Sequence, residues 1–155
     1  MKIYFAAAIS AGREYAEVYR EIVARLKELG HEVLTEHVAD PDVLRKEKNI
    51  APREVYERDI RLLHKADLLL AEISKPSTGV GYEIAFALAH GKPVLAVYLK
   101  GLRMTKMITG NPDANLSVFA YESANQLLSA LPELLQAFAG RRKAGEENGR
   151  NRPAR

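Results

Sequence analysis

Apolar runs of five to seven residues recur along the chain, and between them apolar positions fall at helical spacing. Lys2–Ala8 is a short apolar strand, followed by the small residues Ser10, Ala11 and Gly12. From Arg13 to Leu29 the positions Val18, Tyr19, Ile22, Val23 and Leu26 mark one face of a helix that Gly30 stops. Glu32–Thr35 is a second strand, and residues 39–51 read as an irregular polar segment with at most one helical turn, broken by Asp40-Pro41. Pro52–Lys65 is a helix with proline at its first position. Ala66–Ala71 is a third strand, and a Ser/Gly turn then leads into a helix that runs to His90-Gly91. Pro93–Leu99 and Ser117–Tyr121 are the fourth and fifth strands, with a loop or short helix at 101–110 between them. Ser123 caps a last helix through Phe138.

Strands alternating with helices predict an α/β fold, a doubly wound five-stranded parallel sheet with helices on both faces. Ligands of such sheets sit beyond the carboxyl ends of the strands, at the switch point in strand order. Tyr4, the 8–12 turn, Thr35–Val38 and Ser77–Glu83 all fall near those ends. In the last of these segments Ser77 or Thr78 can cap the helix, whose free N–H groups form an anion site. Glu83 falls about one turn inside. A lone Gly-rich turn is a weak motif, and a carboxylate early in a helix is ordinary. The convergence of strand ends is what raises Glu83 above that ordinary reading.

Composition narrows the field. A chain of 155 residues, 47% apolar, suits one domain with a proper core. There is no cysteine, which excludes disulfides and thiolate chemistry and fits a cytoplasmic protein. No apolar run reaches membrane-spanning length. The formal charge of +3 is misleading, because residues 141–155 hold six Lys/Arg against two Glu. The rest carries 17 Lys/Arg against 18 Asp/Glu, so its surface is not the basic kind that binds nucleic-acid polymers. The division expected is a catalytic domain over 1–139 and a disordered basic tail over 140–155. The turn after the first strand lacks three spaced glycines, which speaks against NAD or FAD. The four histidines are scattered, so no metal site is expected, and there is no nucleophile elbow.

What remains is carboxylates: Glu83, Asp59 and Glu36. Two carboxylates in different environments are the equipment of glycosidic-bond cleavage, one attacking the anomeric carbon while the other handles protons. Tyr4 can hold the attacking group by a hydrogen bond. Asp59, beside Glu57, Arg58 and Arg61, fits a solvated helix face equally well, and Glu36 reads better as surface.

Tyr4-Phe5, Gly12-Arg13-Glu14, Val33–Val38, Asp59, Ala66-Asp67 and Pro76–Glu83 together resemble the 2′-deoxynucleoside 5′-phosphate N-hydrolases of the nucleoside 2-deoxyribosyltransferase superfamily. The resemblance spans about Lys2 to Leu135. It implies a flavodoxin-like homodimer with shared active sites, no cofactor and no metal, acting on a small nucleotide. It further implies that Glu83 is the nucleophile, Tyr4 its orienting partner and Asp59 the second carboxylate. Ser77 and Gly79 match the phosphate cradle, Thr105 a residue reaching the phosphate from the neighbouring subunit, and Ile9 and His37 the base pocket. Transferases acting on free nucleosides carry aspartate where this chain has Ser77, and a carboxylate would repel a phosphate. The chain departs from the hydrolases at Ala7-Ala8 and at Ser10, where they carry a basic residue. Arg13, Arg103 or Lys106 are the cations that can replace it. Two other readings stay open at this point: a transferase on free nucleosides, and a non-catalytic nucleotide-binding domain of the same fold.

Overall fold

The computed structural model describes residues 1–150 of the chain, with side-chain environments through Phe138. Five strands, β1 (Lys2–Ala6), β2 (Glu32–Val33), β3 (Leu68–Glu72), β4 (Val94–Leu99) and β5 (Leu116–Tyr121), form one sheet in the order β2-β1-β3-β4-β5. Every neighbouring pair is parallel, with Tyr4 opposite Leu69 and Leu70 opposite Leu95. This is the doubly wound arrangement expected, and its switch point lies between β1 and β3.

The sheet is buried on both sides because its strands are apolar without alternation. On one face Ile3, Phe5, Leu68 and Leu70 meet helix α1 (Ala16–Glu28) through Tyr19, Ile22 and Leu26, and helix α6 (Ala124–Arg150) through Leu127, Leu131 and Leu135. On the other face Tyr4, Ala6, Leu69 and Ala71 meet helix α3 (Pro52–Lys65) through Leu63 and helix α4 (Thr78–Ala89) through Val80, Ile84 and Ala87. Filling each face with about ten such side chains, at roughly 1.5–3 kcal/mol each, supplies the main drive for folding.

Three segments differ from the sequence reading. The second strand is only two residues long, and Leu34 leaves the ladder after its N–H bonds the Ile3 carbonyl. Thr35 explains the stop: its buried hydroxyl accepts from Phe5 N–H at 2.8 Å and donates to the Phe5 carbonyl at 2.7 Å, replacing a ladder pairing by a side chain. The segment after it is more ordered than expected, with a 3-10 turn at Glu36–Ala39 and a short helix α2 (Val43–Glu47) anchored by buried Val38 and Val43. The short helix allowed at 101–110 is α5 (Lys106–Thr109). The last helix runs past Phe138 to Arg150, so residues 140–150 are helical where an irregular tail was expected. Residues 151–155, the remainder of that expected tail, lie outside the described residues. Among the described residues no helix is long and apolar enough to cross a membrane.

Candidate active site

Beyond the carboxyl ends of β1 and β3 a cleft of about 530 Å³ opens between the 7–11 segment, α3 and the start of α4. Its walls include Ile9, Ser10, Arg58, Asp59, Ser77, Gly79 and Glu83. A shallower hollow of about 320 Å³ continues from it and shares Asp59, Thr78, Gly79 and Glu83. Glu83 therefore stands where two openings meet.

Each of these side chains is placed by its element. Ser77 is the N-cap of α4, its hydroxyl accepting from Val80 N–H at 3.4 Å. That fixes the helix start and leaves N–H groups of the first turn directed at the cleft mouth. Gly79 lies beside this cap, and a β-carbon there would make only ordinary contact, 3.8 Å from the Ser77 hydroxyl oxygen. Six residues after the cap, Glu83 points back to the sheet and accepts a 2.6 Å hydrogen bond from the Tyr4 hydroxyl. Tyr4 is buried in mid-strand, so its ring cannot turn away.

Burial pushes the Glu83 carboxyl up to about 7. The Tyr4 hydrogen bond opposes that rise, the Asp59 charge adds to it and Arg58 pulls it down. The Tyr4 hydroxyl is itself raised, by burial first and then by Glu83 and Asp59, so it donates and stays protonated. Asp59 receives a 2.8 Å bond from Arg58 Nε, and Arg58 Nη2 gives a 2.7 Å bond to Glu47 at the end of α2. Burial alone would pull the Arg58 guanidinium down, but its bonds to Asp59 and Glu47 outweigh this and raise it, so it stays charged. The Glu47–Arg58–Asp59 chain fixes the second carboxylate relative to Glu83. Such a half-buried ion cluster orients its members more surely than it stabilises the fold.

The structure brings Tyr4, Asp59, Glu83, Ser77, Gly79, Ile9 and Ser10 together and separates three other sequence candidates. Arg13 is spent on the fold: its guanidinium donates to the Val38 carbonyl at 3.0 Å and the Asp40 carbonyl at 2.9 Å, holding the segment after β2. His37 lines a different surface hollow with Glu36 and Asp40, though its Nε2 is 3.8 Å from Glu47. Burial, then Arg58, lowers its pKa and favours the neutral ring. Thr105 caps α5 and faces, with Ser74, Ser77 and Arg103, a small hollow of about 100 Å³ behind the Ser77 turn, outside the main cleft of its own chain. Glu36 pairs with Lys27 on the surface, as its position suggested. Arg58 and Glu47 were missed because each sits in a charge-rich stretch that looks solvated in sequence. Among the described residues Arg58 is the one cation lining the main cleft. No group of three His, Asp or Glu among the described residues could hold a metal ion.

The nucleoside 2-deoxyribosyltransferase family model matches residues 3–137, which contain every one of these groups. The chain belongs to the nucleoside 2-deoxyribosyltransferase family. Within it, the chain is 44% identical over 137 residues to a protein of Thermofilum pendens, covering 87% of this chain and 95% of that one. It is 40% identical over 136 residues to one of Methanosarcina mazei, covering 88% and 84%. Both carry the provisional name 2′-deoxynucleoside 5′-phosphate N-hydrolase 1. The mouse relative, 40% identical over 117 residues with 73% and 67% covered, is named 5-hydroxymethyl-dUMP N-hydrolase. Among solved structures, the CMP N-glycosidase BcmB of Clostridium botulinum superposes with a TM-score of 0.68 at 20% identity, covering 86% of this chain and 99% of its own. At that identity it speaks to the shared deoxyribosyltransferase-like fold.

Proposed function

We propose that the protein is a nucleotide N-glycosidase. It hydrolyses the N-glycosidic bond of (deoxy)nucleoside 5′-monophosphates to free base and (deoxy)ribose 5-phosphate. The observation that carries this reading is the 2.6 Å Tyr4–Glu83 bond on the wall of a cleft whose other end is the Ser77-capped helix start. The names of relatives at about 40% identity support the same substrate class.

The 5′-phosphate sits against Ser77 and the N–H groups around Gly79, which places the anomeric carbon over Glu83. The ionised Glu83 carboxylate attacks that carbon as the C1′–N bond breaks. The departing base keeps the bonding electrons and takes a proton from solvent water, relayed through Asp59. Water then attacks C1′ of the glycosyl ester, loses its proton to Asp59, and releases the sugar phosphate and the Glu83 carboxylate. Tyr4 holds one carboxylate oxygen throughout, leaving the other free to attack. Ile9 borders the same cleft as an apolar contact for the base.

The proposal includes a homodimer with shared sites, working where nucleotide pools lie in the cytoplasm. Helices α3 and α4 carry an exposed aromatic series, in which Tyr56 meets Tyr82 at 6.3 Å between ring centroids and Phe86 stacks on His90 at 4.0 Å. Tyr56 and Tyr82 are about half exposed, an unusual outlay of aromatic surface unless covered. Thr105, which does not line its own chain's cleft, is available to the partner's.

Release of free base from a panel of monophosphates and matched nucleosides, read by liquid chromatography, tests the activity. Deoxynucleosides turned over as fast as their monophosphates would overturn the phosphate assignment. A new nucleoside formed on adding an acceptor base would point to the transferase instead. Mixing inactive Glu83→Ala and Thr105→Glu chains should restore part of the activity if sites are shared, and no recovery after demonstrated subunit exchange would refute sharing.

A further inference from the structure

The catalytic reading leaves one buried carboxyl unused. Glu72, the last residue of β3, is fully buried on the face opposite Glu83, and it lines none of the cavities described above. One of its oxygens, Oε1, accepts from Ser74 N–H at 3.1 Å, from the Ser74 hydroxyl, and from the Tyr121 hydroxyl at 3.0 Å. The other, Oε2, makes no hydrogen bond of good geometry, and the buried Tyr19 hydroxyl acts on the same carboxyl and helps hold its pKa down. A buried carboxyl is costly to keep even when hydrogen-bonded, so the cluster calls for a role beyond packing.

Ser74 supplies it. Its hydroxyl oxygen also accepts from Leu99 N–H, at 2.8 Å, at the end of β4. A single carboxyl therefore fixes the residue where β3 passes into the Lys75–Thr78 turn and, through the same hydroxyl, the residue where β4 passes into the 100–105 loop. Those two segments meet at the 100 Å³ hollow lined by Ser74, Ser77, Arg103 and Thr105. They are also the two that present Ser77 and Thr105. Lys100 N–H bonds the Tyr121 carbonyl at 2.7 Å, so the end of β5, which carries the third donor to Glu72, is tied into the same junction.

We propose that Glu72 is a positioning residue for substrate binding, which sets the Ser77 turn and the Thr105 loop relative to each other through Ser74. The proposal rests on the phosphate reading of Ser77 given above. Burial raises the Glu72 carboxyl, while the hydrogen bonds from Ser74 and Tyr121 pull it back down. An amide oxygen would serve as well, whereas a thioether of similar length would not.

The test compares Glu72→Met with Glu72→Gln. In Glu72→Met the KM for a deoxynucleoside monophosphate should rise about tenfold, the order expected for losing a buried charge-assisted or neutral hydrogen-bond node, with kcat within about twofold. The melting temperature should fall, since the buried Ser74 N–H and Tyr121 hydroxyl lose their acceptor, and it should recover in Glu72→Gln. Glu72→Gln should restore the wild-type KM. Hydrogen exchange, which needs no substrate, should quicken in Glu72→Met at residues 75–78 and 99–105 together and return to normal in Glu72→Gln. If the wild-type protein releases no base from any monophosphate, the functional reading fails while the exchange result still decides the role of Glu72. A wild-type KM in Glu72→Met, a KM rise that Glu72→Gln does not reverse, or exchange that quickens in only one segment would overturn the proposal. Should Glu72→Met not fold, Ser74→Ala removes the shared hydroxyl, and the same paired quickening is expected or the proposal falls.

Discussion

The sheet carries a tyrosine–glutamate pair on each of its faces, and only one of the two opens on a cleft. Tyr4 on β1 donates to Glu83 at 2.6 Å, and Tyr121 on β5 donates to Glu72 at 3.0 Å. Burial raises both carboxyls. Glu83, however, takes this one hydrogen bond, opens on a cleft and has the Asp59 charge nearby. Glu72 has three donors crowded on one oxygen and no opening. A raised carboxyl is thus no mark of a nucleophile by itself. Access to a cleft separates Glu83 from Glu72.

The largest test of that contrast is Glu83→Ala. It should cut base release about 10⁴-fold or more, because the covalent route is lost, while circular dichroism stays that of the wild type. Activity near wild type would erase the distinction between the two pairs. Tyr4→Phe comes next, with kcat expected to fall roughly 10–100-fold for one lost charge-assisted bond in a desolvated site. It also carries a pH signature. In the proposed mechanism Glu83 must be ionised to attack, so the wild-type rate should fall as pH drops through about 7. The Tyr4 bond holds that value down, so Tyr4→Phe should move the acidic limb to higher pH. A limb that stays in place would show that Tyr4 does not act on Glu83.

Stability offers a third handle. The folded protein binds the Glu83 proton more tightly than the unfolded chain, in which the group titrates near 4.5. This contribution is therefore full below about 4.5 and is lost as pH rises toward about 7. Glu83→Gln should gain on the wild type over that window, by on the order of 2 kcal/mol, read from urea midpoints at several pH values. The smallest effect is expected at the other pair. Tyr121→Phe should cost about 1 kcal/mol of stability and leave kcat within about twofold. A large fall in kcat there would mean that the two faces are not chemically separate.

The continuous apolar runs made the sheet, its order of elements and its two helical layers legible in the sequence, because burial on both faces leaves little ambiguity. Tyr4, Asp59, Ser77 and Glu83 were legible as well, through the topology that gathers strand ends and through the resemblance their motifs carry. The early end of β2 was not, because it depends on Thr35 reaching across to Phe5, a tertiary contact. Arg13 misled for a similar reason: its cation is taken up by two backbone carbonyls, which no local pattern reveals. Arg58 and Glu47 lie eleven residues apart and acquire meaning only once α2 folds against α3. Glu72 did leave a sign, a lone acid closing a strand that is otherwise Leu and Ala.

The placement of Ser77 at the cap of α4 and Glu83 six residues further along the same helix makes that helix a ruler. Six residues at an axial rise of 1.5 Å separate the two positions by about 9 Å, and a hydrogen-bonded helix cannot stretch to suit its guest. A ligand pinned at one end presents whatever atom lies at that fixed reach to the carboxylate. Lengthening the chain between phosphorus and sugar, as in a diphosphate held by its terminal group, would carry the anomeric carbon past the nucleophile. Selection by length would then be built into the backbone, and no change of side chain within the cleft would remove it.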